Sequence, residues 1–241
     1  RRFGNDLGFL SLVLYGNSII YVATLLMSQV LGESIVQQSI FSMLGPGIRT
    51  TLIFGASGAL PVFGLGRWWT IFSAGWLHAG LLHIFFNMMW VRQLGPPTAE
   101  IYGAGRMVII YTLAGASGFL LSSVAGQIMP PLPLIGGATI TLGASSPIFG
   151  LLGALVYYGR RGGSSIVRGE AAGYALTLFV FGFIMPGVDN YAHAGGFAGG
   201  YLTRMWLDPL TRERMDHFIW PAICLVLTGV TIIVSIVTAF W

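Results

Sequence analysis

Four side chains of this 241-residue chain have the types and spacing for nucleophilic and acid–base chemistry: Ser145, His193, His83 and Asn87. His83 and Asn87 are four residues apart, so on a helix they share one face. Two readings of that pair stand side by side. It is an interhelical hydrogen-bond pair that holds a bundle together, or a pair of donors for an anionic intermediate. His193 stands in Ala192-His193-Ala194-Gly195-Gly196-Phe197-Ala198-Gly199-Gly200, where Ala192, Gly196 and Gly200 form a stripe of small residues. Such a stripe lets another helix approach closely. Ser146, Gly150 and Ala154 form a matching stripe. Packing the two stripes together brings Ser145 toward His193, the pairing a serine nucleophile and its base require. The plainer reading is a packing seam with an incidental histidine.

The serine is chosen by position. Gly-Ala-Ser occurs three times, at Ser57, Ser117 and Ser145, so the string alone carries almost nothing in this glycine-rich chain. Ser57 falls in a connecting segment. Ser117 falls mid-span, where small residues mean helix packing. Ser145 opens a helix, with Pro147 in the first turn where proline is tolerated. Backbone N–H groups there lack intrahelical partners and can bind an oxyanion. Asp189, four residues before His193, invites a Ser-His-Asp triad, but a cap on the following helix is the preferred role for Asp189 or Asn190. His217 reads as an interfacial residue, and the histidine and cysteine spacings match no metal site.

The elements that must position these groups are membrane spans. The chain is 55% hydrophobic and 8% charged, against about 25% charged in soluble domains. That excludes a soluble enzyme, a disordered chain and a nucleic-acid-binding domain. The mean hydropathy is +0.78. The length allows roughly seven crossings of about 20 residues each. Apolar segments run over 7–30, 76–94, 107–126, 142–158, 171–185, 191–206 and 218–241. A glycine-rich stretch, 31–72, is broken by Pro61 and is no plain span. The first segment is too long for the apolar part of a signal peptide. The lone cysteine, Cys224, allows no intrachain disulfide.

All twelve basic residues are arginine. Placing the N-terminus inside puts ten of them inside and leaves only Arg49 and Arg67 outside. Trp68, Trp69 and Trp76 then sit near the outer interface, where indoles are favoured. The second, fourth and sixth spans then begin outside, and their beginnings carry the unusual polar residues. These are His78, His83 and Asn87; Ser145 and Ser146; and Asp189, Asn190 and His193.

The run Gly66-Arg67-Trp68-Trp69 through Trp76-Leu77-His78-Ala79-Gly80-Leu81-Leu82-His83-Ile84-Phe85-Phe86-Asn87 resembles the first loop and second helix of rhomboid intramembrane serine proteases. Leu94-Gly95-Pro96 with Glu100 and Gly103 resembles the next rhomboid stretch. Gly143-Ala144-Ser145-Ser146 with Phe149-Gly150 resembles the nucleophile motif, and His193-Ala194-Gly195-Gly196 with Gly200 the histidine motif. The resemblance covers roughly residues 7–206 and departs in two places. Ser146 stands where the family usually has glycine, and Thr70 follows Trp69 where it usually has arginine.

The resemblance implies an all-α polytopic membrane protein, a rhomboid-like six-helix bundle plus one C-terminal transmembrane helix. Residues 1–206 would be the catalytic core, with a first loop of about 31–75, and 207–241 a loop and seventh helix. It implies a dyad without an aspartate: Ser145 as nucleophile and His193 as base and then acid. His83, Asn87 and the Ser145 N–H would form the oxyanion hole, and Phe149 would pack beside His193. The expected partners are the lipid bilayer and transmembrane-protein substrates cut where their helices unwind, with a larger membrane complex also considered. No nucleic acid, cofactor or metal is expected. An N-in chain with a helix after the core suggests a bacterial inner membrane. Two other functions are weighed: a catalytically silent rhomboid-fold chaperone or complex subunit, and a small transporter with a polar pathway.

Overall fold

A computed structural model describes residues 8–36, 43–129, 136–211 and 216–240. Arg1, Arg2, Arg212, Arg214, Trp241, the Pro131-Leu132-Pro133 stretch and the side chains of Arg204 and His217 lie outside the described residues. The described chain is helical, with one isolated antiparallel bridge between Ser57 and Thr141. The longer helices are α1 (Gly8–Val30), α2 (Ile48–Phe54), α3 (Thr70–Ser73), α4 (Leu81–Tyr102), α5 (Ala104–Ile128), α6 (Ser145–Arg160), α7 (Ser165–Ile184), α8 (Asn190–Leu202) and α9 (Asp216–Thr238). The fold is an all-α bundle with α9 added at its end.

Helix α5 is the axis. Its first half is buried all round, from Arg106 to Tyr111, and further on Ala114, Phe119 and Ser122 are buried while Leu113, Leu120, Leu121 and Ile128 form one exposed face. The helix packs against α8, α6 and α9. The α6–α8 seam is backbone on backbone. A methyl at Gly200 would sit 1.9 Å from the Gly150 carbonyl oxygen, and one at Gly153 would sit 2.1 Å from that of Phe197. The two small-residue stripes therefore do face each other.

Outward faces are apolar: Tyr15, Ile19 and Leu26 on α1, Leu176, Val180 and Ile184 on α7, and Val226, Val230 and Ile233 on α9. Helices α1, α5, α7 and residues 219–238 of α9 are long and apolar enough to cross a bilayer, and a bent pair (70–76 with 81–102) makes a fifth candidate. This is an integral membrane protein. At 16 and 13 residues, α6 and α8 are too short to cross alone, since α8 is about 20 Å long against a core of about 30 Å. They lie against α5 and each other.

Two expected spans differ. The second does not run straight from Trp76. The chain bends by 94° between the 3₁₀ turn Ala74–Trp76 and α4, because Leu77 is extended (φ −105°, ψ 152°) and Gly80 is fully extended. Nor does it end at Leu94, for α4 continues through Pro96 and Pro97. An interior proline costs about 3 kcal/mol. The buried stripe Val91, Leu94, Gly95, Thr98 and Tyr102 crosses both prolines unbroken, so packing holds the helix. The sixth span stops at Leu202, where a 3₁₀ turn (Thr203–Met205) takes over.

The first loop is tied at both ends. Glu33 caps α2, its carboxylate accepting from the amides of Arg49 and Thr50 (2.9 and 3.0 Å) and from the Thr50 hydroxyl (2.6 Å). Burial alone would raise the Glu33 carboxyl, but these donors and the Arg49 charge outweigh it and hold it below its ordinary value. Arg67 donates to the carbonyls of Leu52 and Thr238, and the Trp69 indole to the Ser235 hydroxyl, so α9 fastens the loop. The loop then pairs with the segment before α6. Ser57 and Thr141 exchange amide hydrogen bonds, and Leu60 donates to Thr139.

Candidate active site

That pairing delivers the turn Gly143-Ala144-Ser145 to the start of α6. The Gly143 amide donates to Ala74 O (3.0 Å), and its φ of +128° suits only glycine. Ser145 is the first residue of α6 and half-buried, so its amide has no intrahelical acceptor. Pro147, two residues on, packs against Gly75 and Gly115.

His83 and Asn87 meet this turn from α4. A methyl at Gly143 would lie 2.7 Å from Cε1 and Nε2 of His83 and 3.8 Å from Nδ2 of Asn87. The Ala79 amide donates to His83 Nδ1 (3.2 Å). Because Nδ1 accepts, a neutral His83 ring carries its proton on Nε2, the edge that faces Gly143. Two side-chain donors thus converge on the turn that carries the Ser145 amide. Behind His83 lies His78, fully buried and edge-on at a ring separation of 5.1 Å.

His193 comes from α8 and is 5% exposed. The Phe149 ring, one turn beyond Ser145 on α6, stacks on it at 4.2 Å and 14°. Asn190 Oδ1 lies 3.2 Å from His193 Nδ1. Ser145 and His193 are thus on two helices locked by the glycine seam. Among the described residues, their side chains make no hydrogen bond to each other. Such contacts tighten when substrate binds.

Other expectations can be placed. Asp189 caps α8, Oδ1 accepting from the Ala192 amide (3.0 Å) and Oδ2 from the Ser122 hydroxyl, so it does not face the imidazole. Ser117 donates to Ala114 O and Gly195 O (both 2.8 Å), which is packing. Ser57 is fully buried between Thr70 and Ser123. The unusual Ser146 is accommodated: its hydroxyl donates to Gly115 O (3.2 Å), and Gly118 and Gly196 leave room for it. Sequence reasoning had Asn190 only as a cap candidate. The signal available was its i−3 spacing to His193.

A family model described as the rhomboid domain matches residues 65–209, which contain all four candidate site residues. The chain belongs to the rhomboid family. Similar proteins include the rhomboid protease GluP of Bacillus subtilis (strain 168), 32% identical over 156 residues, which cover 64% of this chain and 28% of the relative. RHOMBOID-like protein 1 of Arabidopsis thaliana is 33% identical over 165 residues, covering 66% of this chain and 40% of that protein. A putative rhomboid protease of Bacillus subtilis, YdcA, is 27% identical over 146 residues, covering 57% and 66%. The alignments with the first two of these span less than half of those relatives.

Proposed function

We propose that this rhomboid is an intramembrane serine endopeptidase working through a Ser145–His193 dyad. The observation that carries the reading is convergence. The Nε2 edge of His83 and the Asn87 amide face the turn two residues before Ser145, while α6 and Phe149 hold His193 alongside.

His193 Nε2 takes the Ser145 proton as the hydroxyl attacks a peptide carbonyl. The developing oxyanion receives hydrogen bonds from His83 Nε2–H, Asn87 and the Ser145 amide. Each such donor is worth about 2.7–4 kcal/mol of barrier. The imidazolium then gives its proton to the leaving amine, and water releases the acyl group by the same steps in reverse order. The substrate is a transmembrane segment with small or helix-breaking residues near the scissile bond, because a helical amide is already hydrogen-bonded and shielded. The arginine distribution supports an N-terminus on the inner side with the site toward the outer face, and the helix that follows the core in such a chain points to a bacterial inner membrane. Residues 1–206 form the catalytic core and 207–241 the appended loop and helix.

The test is labelling of detergent-purified protein by a fluorescent fluorophosphonate. Wild type and Ser117→Ala should label, while Ser145→Ala and His193→Ala should not. A folded wild type that stays unlabelled moves the weight to a silent rhomboid-fold chaperone or complex subunit.

A further inference from the structure

We infer that Asn190 is a positioning residue that fixes the tautomer and orientation of His193, and that α7 seats it. The inference rests on the reading of His193 as general base. Asn190 opens α8 three residues before His193, so the two side chains share a face. Its Oδ1 lies 3.2 Å from His193 Nδ1. The neighbouring carboxylate of Asp189 is committed elsewhere, to the Ala192 amide and the Ser122 hydroxyl. The group left facing the imidazole is a neutral amide.

The amide is itself held. Gly182, buried near the end of α7, lies so close that a methyl there would be 2.2 Å from Asn190 Oδ1 and 2.9 Å from its Cγ. With Phe149 on the ring face and Asn190 on the Nδ1 edge, the Nε2 edge is left for Ser145. Oδ1 accepts, so the proton sits on Nδ1 and the Nε2 lone pair is the base. The reversed amide would donate to Nδ1 and put the proton on Nε2, the wrong tautomer for taking a serine proton. When His193 becomes charged, the same oxygen stabilises the imidazolium. An asparagine does this without burying a second charge in an apolar site.

The experiment is ¹⁵N NMR of histidine-labelled full-length protein in detergent, with His193 assigned by its loss in His193→Gln. Fluorophosphonate labelling rates are measured alongside. In wild type, His193 should show a protonated Nδ1 and an unprotonated Nε2. Asn190→Leu should shift it toward the Nε2–H form and slow labelling about tenfold or more, a fraction of what a general base contributes. Asn190→Asp, which keeps the acceptor, should retain the Nδ1–H form and most of the rate. Gly182→Ala, which leaves Asn190 itself intact, should shift the tautomer in the same direction as Asn190→Leu. A wild-type His193 protonated on Nε2, or an unchanged Nδ1–H signature in Asn190→Leu and Gly182→Ala, overturns the inference. The NMR readout needs no activity. A wild type with the expected tautomer but no labelling would overturn the protease reading and leave this one standing.

Discussion

Gly143 is the glycine of the candidate site that faces His83 and Asn87. Its φ of +128° strains any other residue, and a methyl there would lie 2.7 Å from His83 Nε2, the proposed oxyanion donor. Gly143→Ala should therefore lose about 1–3 kcal/mol of stability through strain. It should lose fluorophosphonate labelling by more than that instability explains, because the new methyl occupies the donor's position. Thermal unfolding and labelling rate measured on one preparation check this, and unchanged labelling would remove His83 from its role. At this scale much was legible. Three Gly-Ala-Ser strings exist, yet only Ser145 opens a helix, and the other two serines are spent on structural hydrogen bonds. The partition between Asp189 and Asn190 was not legible. Either residue can cap a helix, and what decides is Ser122, brought to Asp189 by a helix distant in sequence.

Among elements, the α6–α8 seam matters most, because it sets the separation of Ser145 and His193. Gly200→Ala would put a methyl 1.9 Å from the Gly150 carbonyl oxygen, so the helices must move apart. Overpacking of this kind costs about 1–3 kcal/mol. Gly173→Ala on α7, where nothing lies within 4 Å, should be neutral or stabilising, as alanine is the better helix former. A lower melting temperature and slower labelling for Gly200→Ala alone would bear this out. Equal behaviour of the two variants would contradict it. The seam could be read from spacing, since small residues at every fourth position say which faces meet. Element boundaries could not. The bend before α4 depends on extended backbone at Leu77 and Gly80, and the passage of α4 through two prolines depends on packing that no local signal carries.

For the whole molecule, the first loop and α9 form a frame around the site. Glu33, three residues after α1, caps α2, Ser57 pairs with Thr141, and Arg67 and Trp69 reach Thr238 and Ser235. The face of α9 that docks carries Cys224, Thr228, Thr231 and Ser235, a small polar stripe at helical spacing that was present in the sequence but not used. The frame holds the turn before Ser145 while α5 and α8 hold the start of α6 at Ser146 and Pro147. The molecule as a whole thus offers a fixed candidate site among helices whose outer faces are apolar. Its proposed substrate must come to it from the bilayer and unwind there.

The most direct measurement is cleavage of a single-span reporter co-reconstituted in lipid vesicles, the reporter carrying a helix-breaking Gly-Pro pair toward its outer end. Wild type should release a fragment cut near that pair, Ser145→Ala and His193→Ala should release none, and replacing the pair with Leu-Leu should slow release. Release of the same fragment at an unchanged rate by Ser145→Ala, or none from a wild type that labels with fluorophosphonate, would contradict the account.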